Sequence, residues 1–155
     1  MSFHIILNPA YASLRHAVEQ LPDTFEQLPD IIHDQRNQIR LWPVTDELCL
    51  NVKRYHTPFF INRVVYRFLR RPKAWRAYTY AVRLQQLHIS TPEPVACILE
   101  YRHAMLYTSY LVTLQSTYTR RFYEFGFKGV DGREEIIRAF ARFAARLHAA
   151  GVCHK

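Results

Sequence analysis

The chain has 155 residues, of which 49% are apolar and 14% are aromatic. A chain of this length can bury one hydrophobic core, and this composition excludes a disordered, highly charged tail. Its formal net charge is +8, and no Asp or Glu occurs between Leu48 and Pro92. Such a basic stretch predicts an anionic partner, which could be nucleic acid, anionic lipid or a phosphorylated small molecule. A solvated basic face without a specific ligand is the alternative.

The cysteines and the N-terminus predict a protein of the reducing cytoplasm. Cys49, Cys97 and Cys153 are odd in number and far apart in the sequence, so they do not suggest a disulfide framework. The apolar run near the N-terminus, Ile5–Leu7, is too short for the core of a signal peptide. No stretch approaches the roughly 18 apolar residues of a membrane-spanning helix.

The first third of the chain is predicted to form a helix followed by strands. Apolar residues recur three or four positions apart in Ala10–Leu28, and Pro22 is predicted to end that helix. The segment Ile31–Tyr55 reads as extended. Between Leu48 and Val52, aliphatic residues alternate with polar ones, which is the period of a strand. Lys53 therefore points to the opposite face of that strand from the aliphatic side chains.

The next segment is predicted to form two helices. From Phe59 to Arg71, pairs of apolar residues recur every four positions and arginines fill the gaps, which indicates an amphipathic basic helix that Pro72 stops. The arginines of this helix are Arg63, Arg67, Arg70 and Arg71. A second helix is predicted at Lys73–Leu87, with an apolar side formed by Ala77, Tyr80, Ala81 and Leu84.

The remaining third is predicted to contain a link, two strands, a loop and a long helix. Prolines make Ile89–Val95 an extended link, because each proline keeps its predecessor out of the helical region. The long helix follows from apolar residues spaced four, three and four apart. The predicted elements are strands at Val95–Tyr101 and Ala104–Leu114 joined by Arg102 and His103, a loop at Gly126–Gly132, and a helix at Arg133–Ala149 capped by Gly151.

Four segments share their order and spacing with one protein family. Leu50-Asn-Val-Lys53 lies where kinases have a Val-Ala-Ile-Lys strand, and Leu87–Ala96 is similar to a link that typically reads Gly-Ile-x-Thr-Pro-x-Pro-Val-Ala. The strands ending at Leu114 and Gln115 are similar to the run into a kinase hinge, and Leu147–Lys155 is similar to the segment before a catalytic loop. The chain thus resembles the bacterial lipopolysaccharide kinases, protein-kinase-like enzymes that phosphorylate Kdo or heptose sugars on the lipid A core.

The resemblance, which covers Ile39–Lys155, implies an α+β fold. We expect a protein-kinase-like small lobe, made of an antiparallel sheet with a helix, followed by the first long helix of an incomplete large lobe. The corresponding domains are an N-terminal helical extension at 1–30, the small lobe at 31–116 and the start of the large lobe at 117–155. The resemblance also implies ATP and Mg²⁺ as cofactors and a lipid A-core sugar as substrate. It implies a bacterial cytoplasmic protein, which could lie on the inner face of the inner membrane.

The resemblance also implies roles for individual residues. Kinases hold the nucleotide's phosphates with a strand lysine because a phosphoryl group in transfer is densely negative, and Lys53 matches that lysine. Asn51 matches the residue that covers the adenine, and Leu114 and Gln115 match the hinge. His154 matches the histidine of the His-x-Asp catalytic loop, which has a structural role. Neither a catalytic residue nor a metal ligand is predicted within the chain.

Three departures from the family pattern bear on activity. The chain stops at Lys155, just before the expected catalytic Asp and the magnesium ligands that would follow it. The predicted helix Lys73–Leu87 has no acid to pair with the strand lysine, and Thr79 or Ala77 stands near the expected position. No glycine-rich phosphate loop occurs in Ile31–Trp42. We therefore expect this chain alone to transfer no phosphate, either as a truncated kinase or as a degenerate relative of one.

Two other functions stay open at this point. One is a non-catalytic, pseudokinase-like binding module, and the other is a basic nucleic-acid-binding protein. No nucleic acid is expected, because the basic residues follow an amphipathic helix and do not suggest base reading. The helix Phe59–Arg71 is predicted either to dock on an anionic membrane or to pack on the neighbouring helix. A zinc site is disfavoured, because zinc needs four suitable ligands and the spacing is wrong for His148, Cys153 and His154.

Overall fold

The computed structural model of the protein describes residues 1–56, 71–118 and 132–152. Its strands are β1 (Ser2–Leu7), β2 (Ile31–Asp34), β3 (Asn37–Pro43), β4 (Cys49–Tyr55), β5 (Pro94–Arg102) and β6 (Met105–Leu114). Its α-helices are α1 (Arg15–Thr24), α2 (Lys73–Gln86) and α3 (Glu134–Ala149). Most of the predicted basic helix at Phe59–Arg71 and of the predicted loop at Gly126–Gly132 lies outside the described residues.

The six described strands form one antiparallel sheet in the order β1-β5-β6-β4-β3-β2. Its register places Lys53 of β4 between Ile39 of β3 and Leu111 of β6. The helix α1 packs on one face of the sheet and α2 packs on the other. The predicted α+β class, an antiparallel sheet with a helix and then a further long helix, is confirmed.

The α1 side of the sheet holds the larger hydrophobic core. Leu21 and Phe25 are fully buried there with Val52 and its neighbours on the sheet. The prediction that the helix ends before Pro22 is wrong, because α1 continues through Pro22 to Thr24. A proline inside a helix costs about 3 kcal/mol. Burial of the leucine and phenylalanine on either side contributes about 1.5–3 kcal/mol each, which offsets that cost.

Two arginines of the sheet, one on β3 and one on β4, bind the segment that follows α1. Arg40 Nη1 donates hydrogen bonds of 2.9 Å to the backbone oxygens of Glu26 and Leu28, and its Nη2 donates one of 2.6 Å to the Glu26 carboxylate. Arg54 donates to the other carboxylate oxygen of Glu26 at 2.6 Å. Both guanidinium groups lie over the Phe25 ring, 5.3 and 4.4 Å from its centroid. We call Phe25, Glu26, Arg40 and Arg54 the arginine clamp.

The segment 1–30, predicted as a helical extension, also contributes the strand β1 to the sheet. β1 pairs with β5 along its whole length, beginning with Ser2 opposite Tyr101. Just after β1, the Asn8 side chain donates a hydrogen bond of 2.9 Å to the Pro94 carbonyl. These contacts and the arginine clamp tie the N-terminal segment to the sheet at both of its ends.

The helix α2 packs on β5 and β6 through a different side from the one predicted. Ala74 and Tyr78 are buried in a cluster with Cys97 and Leu99. Tyr80 is 58% exposed, so the predicted apolar side, formed by Ala77, Tyr80, Ala81 and Leu84, is wrong. The ring of Tyr78 buries more apolar area than the alanines of the predicted side do, which explains why α2 packs on the sheet through the side that carries Tyr78. Burial also raises the pKa of the Cys97 thiol to about 12, so this side chain is a neutral part of the core.

The turn between β5 and β6 differs by one residue from the prediction. His103 and Ala104 form this turn, and both have a positive φ, of 50° and 58°. Arg102 belongs to β5, where it pairs with Met105. Two central residues with positive φ match a type I′ turn, whose twist fits that of the flanking strands. The predicted connection at Arg102 and His103 is therefore wrong, because the strand pairing extends to Arg102.

The helix α2 ends in a Schellman motif whose left-handed residue is a histidine. His88 has a φ of 54° and donates its N–H to the Gln85 carbonyl at 2.9 Å. Ile89 donates its N–H to the Leu84 carbonyl at 2.9 Å, which completes the motif. This position usually holds glycine, because a side chain in the left-handed conformation costs about 1–2 kcal/mol. The link that this segment resembles also has glycine here.

Replacing His88 by Gly is expected to raise the free energy of unfolding by about 1 kcal/mol, because it removes the left-handed strain. Thermal or urea denaturation of the variant measures this change. The control is Ser90→Gly, two residues later, where φ is not positive. There glycine only adds conformational freedom to the unfolded chain, so that variant should be less stable than the wild type. A destabilised His88→Gly variant would contradict the assignment of strain.

The helix α3 and its cap agree with the prediction. Gly151 has a φ of 71°, and its N–H donates to the His148 carbonyl at 2.9 Å, as in a second Schellman motif. No residue of α3 is buried by the described parts of the chain, and its exposed apolar residues include Ile136, Ile137 and Phe140. None of the described helices is long and apolar enough to cross a membrane.

Candidate functional site

Lys53 lies on the α2 side of the sheet, at the centre of a half-buried apolar surface. Its strand neighbours on this face are Ile39 and Leu111, and Leu41 lies beside them on β3. Its Nζ lies 5.3 Å from the centroid of the Tyr55 ring, two residues along the same strand. The predicted orientation of Lys53, away from the aliphatic residues Leu50 and Val52 of its strand, is confirmed, since those two residues are buried on the α1 side.

Two further predicted site residues lie on the same face as Lys53 and contact each other. Asn51 Nδ2 donates a hydrogen bond of 2.9 Å to Gln115 Oε1, across the end of β4 and β6. Leu114 packs with the α1 core on the opposite face, so its side chain does not belong to this group. The structure therefore brings together Lys53, Asn51 and Gln115.

The hinge N–H groups are already engaged within the sheet. The Leu114 N–H donates to the Glu93 carbonyl at 2.9 Å, and the Gln115 N–H donates to the Cys49 carbonyl at 3.0 Å. A nucleotide base on this face would instead meet the side-chain amides of Asn51 and Gln115. An amide offers both a donor and an acceptor, which is the pattern that the edge of adenine also presents. The backbone N–H groups of the two predicted hinge residues are therefore already hydrogen-bonded within the sheet, and the Gln115 side-chain amide also donates to the Ser116 carbonyl at 3.2 Å.

The helix α2 carries no acid, and it has a cation one helical turn before the position where the resemblance implies one. Lys73–Gln86 contains no Asp or Glu. Burial and the neighbouring Cys97 raise the pKa of Tyr55, and the Arg76 guanidinium opposes that rise, so Arg76 lies beside Tyr55 of β4. Thr79 is three residues after Arg76 and shares its side of the helix, whereas Ala77 is on the other flank. The Thr79 hydroxyl donates a hydrogen bond of 2.9 Å to the Trp75 carbonyl of its own helix.

Several predicted site residues fall outside the described part of the chain. His154, Arg63, Arg67 and Arg70 are among them, and their predicted roles stay predictions. Arg71 is described, and its guanidinium lies 4.9 Å from the centroid of the Trp75 ring. Among the described residues, no group of three or more His, Cys, Asp or Glu side chains could hold a metal ion.

A family model described as the lipopolysaccharide kinase (Kdo/WaaP) family matches residues 43–155, well over half of the chain. The chain belongs to this family. The matched region of this lipopolysaccharide kinase family member contains β4 with Lys53, α2, the β5–β6 hairpin and α3. No curated protein and no solved structure gives a significant match.

Arg76 is the residue of interest in this lipopolysaccharide kinase family member that sequence reasoning did not single out. It was only one of many cations in the acid-free stretch from Leu48 to Pro92. The sequence nevertheless contained a signal for Arg76. This arginine precedes Thr79 by one helical turn, and Thr79 stands near the position at which the resemblance implies an acid. Only the side of α2 that faces β4 distinguishes Arg76 from its basic neighbours.

Proposed function

We propose that this chain forms the nucleotide-binding part of an ATP-dependent kinase that acts on a Kdo or heptose sugar of the lipopolysaccharide core. The observation that carries the proposal is the position of Lys53. Within the region of the family match, it is held between Ile39 and Leu111 on the α2 side of the sheet. A fixed cation on a half-buried surface binds phosphate more strongly than one on a fully hydrated surface, because water screens it less.

In this proposal each described residue has a limited task. ATP supplies the phosphoryl group that is transferred to a sugar hydroxyl. Lys53 holds the phosphates and neutralises part of their charge, while Asn51 and Gln115 hydrogen-bond to the base. Ile39 and Leu41 provide apolar contact on the same face, which excludes water from the nucleotide.

Replacing Lys53 by Met is expected to weaken ATP binding about tenfold, which corresponds to about 1.4 kcal/mol. Methionine keeps most of the apolar stem and removes the charge, so the fold should persist. Titration calorimetry with ATP and the complete chain measures the dissociation constant. The matched control is Arg83→Met, which removes an exposed cation at the far end of α2 and should leave the constant unchanged. If the two variants lose the same affinity for ATP, the binding depends on the net charge of the protein and not on the position of Lys53.

A non-catalytic, pseudokinase-like binding module is a second candidate. The observation that favours it is the acid-free α2, because no carboxylate of this helix can pair with Lys53 and fix its position. The two candidates differ in one measurement, the binding of ATP. Binding that depends on Lys53 supports the nucleotide-binding part of a kinase, whereas a non-catalytic module of this kind binds no ATP. In both cases we expect the chain by itself to transfer no γ-phosphate, because α2 supplies no carboxylate to pair with Lys53.

We further propose that the arginines of Phe59–Arg71 dock the protein on an anionic membrane, at the inner face of the inner membrane where its lipid substrate would be reached. Flotation with vesicles that contain anionic lipid is expected to recover more protein than flotation with neutral vesicles. Replacing Arg63, Arg67, Arg70 and Arg71 together by Gln should remove the difference. Replacing Arg138, Arg142 and Arg146 of α3 is the control for a general charge effect. Equal recovery from both vesicle types contradicts the proposal.

A further inference from the structure

One side-chain atom of α2 is buried without a hydrogen-bond partner. The Nε of Arg76 has no acceptor within reach, and it is the only buried side-chain nitrogen or oxygen of which this is true among the described residues. A buried donor on a charged group that lacks an acceptor costs free energy, and such groups are rare in folded proteins. The orphaned donor therefore indicates that an acceptor completes this site when the protein acts.

Among the described residues, the strand and the helix that carry Lys53 and Arg76 contain no carboxylate. Lys53 places its Nζ 5.3 Å from the centroid of the Tyr55 ring, and the Arg76 guanidinium is near enough to the same tyrosine to lower its pKa against the effect of burial. Neither β4 nor α2 carries an Asp or Glu. The buried acid of β5, Glu100, belongs to the other face of the sheet, where it accepts a hydrogen bond of 2.8 Å from Arg102. The α2 side of β4 thus presents two positive charges to any ligand.

We infer that Arg76 and Lys53 together bind one phosphate chain, so that Arg76 occupies the place of an acidic ion-pair partner and acts as a second phosphate-binding residue. A guanidinium suits this role because its planar donors match two phosphate oxygens at once. The inference rests on the proposed function, since it concerns the same ligand that Lys53 holds. It also names the feature that the ligand must have, which is at least two linked phosphates that can reach both cations.

The two-cation site predicts an order of affinities. ATP binds most tightly, inorganic tripolyphosphate binds less tightly because it lacks the base, ADP and pyrophosphate bind less tightly than ATP and tripolyphosphate respectively, and adenosine gains nothing from either cation. Binding of ATP weakens steeply as salt is raised, because two charge contacts are screened together. Loss of either cation makes this salt dependence shallower.

Titration calorimetry on the complete chain tests the inference with Arg76→Met, Arg76→Lys and, as the control, Arg83→Met. Arg76→Met is expected to weaken ATP and tripolyphosphate binding about tenfold and to leave adenosine unchanged. Arg76→Lys keeps the positive charge, so it should weaken ATP and tripolyphosphate binding less than Arg76→Met does. Because Arg76→Met removes a buried donor that lacks an acceptor, it should also raise the melting temperature of the ligand-free protein. A purely structural role for Arg76 predicts the reverse on both counts, which is a lower melting temperature and unchanged ATP affinity.

The results separate this inference from the proposed function. If Lys53→Met weakens ATP binding while Arg76→Met does not, the inference is overturned and the proposed function stands. If tripolyphosphate binding depends on Arg76 but ATP binds no better than tripolyphosphate, the phosphate site stands and the nucleotide function fails. If neither ligand binds the wild-type chain, both are overturned.

Discussion

Replacing Arg40 by Met is expected to lower the free energy of unfolding by about 3 kcal/mol, because one buried guanidinium makes most of the contacts of the arginine clamp. The change removes two hydrogen bonds to backbone oxygens and one to the Glu26 carboxylate. The backbone oxygen of Leu28, in the buried part of the clamp, then loses its donor, and a buried acceptor without a donor is more costly than a missing surface contact. Methionine preserves the packing of the stem, so the loss measures the polar contacts.

Urea denaturation followed by circular dichroism measures this loss. The matched control is Arg15→Met, which breaks an ion pair of 3.6 Å with Glu19 between two side chains that are about half exposed. Exposed pairs of this kind contribute at most about 0.5 kcal/mol, so the control should change stability little. If the two variants lose equal stability, the arginine clamp is no more than a surface ion pair.

Replacing Tyr78 by Ala is expected to cost about 3 kcal/mol, while replacing Tyr80 by Ala should cost less than about 0.5 kcal/mol. The two tyrosines are two residues apart on α2, yet Tyr78 is 8% exposed and Tyr80 is 58% exposed. Truncating the buried ring leaves a cavity between α2 and the sheet, whereas truncating the exposed ring leaves only solvent. Both variants remove the same atoms, so the difference between them isolates burial.

Thermal denaturation of the two variants measures the difference. A larger loss for Tyr80→Ala would show that α2 packs through the side that the sequence pattern suggested. The helix would then have to rotate, which would change the position of Arg76 relative to the sheet. This experiment therefore tests the geometry on which the phosphate site depends, without using any ligand.

Strand periodicity correctly predicted the face of the sheet on which Lys53 lies. The alternation of aliphatic and polar residues around Lys53 is strict, and one buried face determines the register of a strand, so the lysine could be assigned to the other face. The family resemblance and the fold class also followed from the order of the segments. Sequence reasoning worked where one physical signal dominated.

The wrong predictions concern places where two physical signals in the sequence favour different structures. Pro22 suggested a helix end, but burial of Leu21 and Phe25 on both sides outweighs the missing hydrogen bond. The apolar side of α2 was misjudged because an alanine-rich side and a tyrosine-containing side both have helical spacing. The strand β1 was missed because its apolar residues form a short run without a strict alternation, and its partner strand β5 lies far away in the sequence. These outcomes depend on tertiary packing, which local patterns do not encode.

The pairing of β1 with β5 has a consequence for folding during synthesis. β1 is made before the other described strands, but the strand beside which it lies ends at Arg102, so β1 has no edge to join until the residues through Arg102 have been made. The β5–β6 hairpin closes through a two-residue turn and forms from local contacts. Addition of β1 is therefore a late event, and the interval before it exposes Ile5 and Ile6 to neighbouring nascent chains. On crowded polyribosomes, contacts between neighbouring nascent chains would therefore form at β1 more readily than at the other described strands.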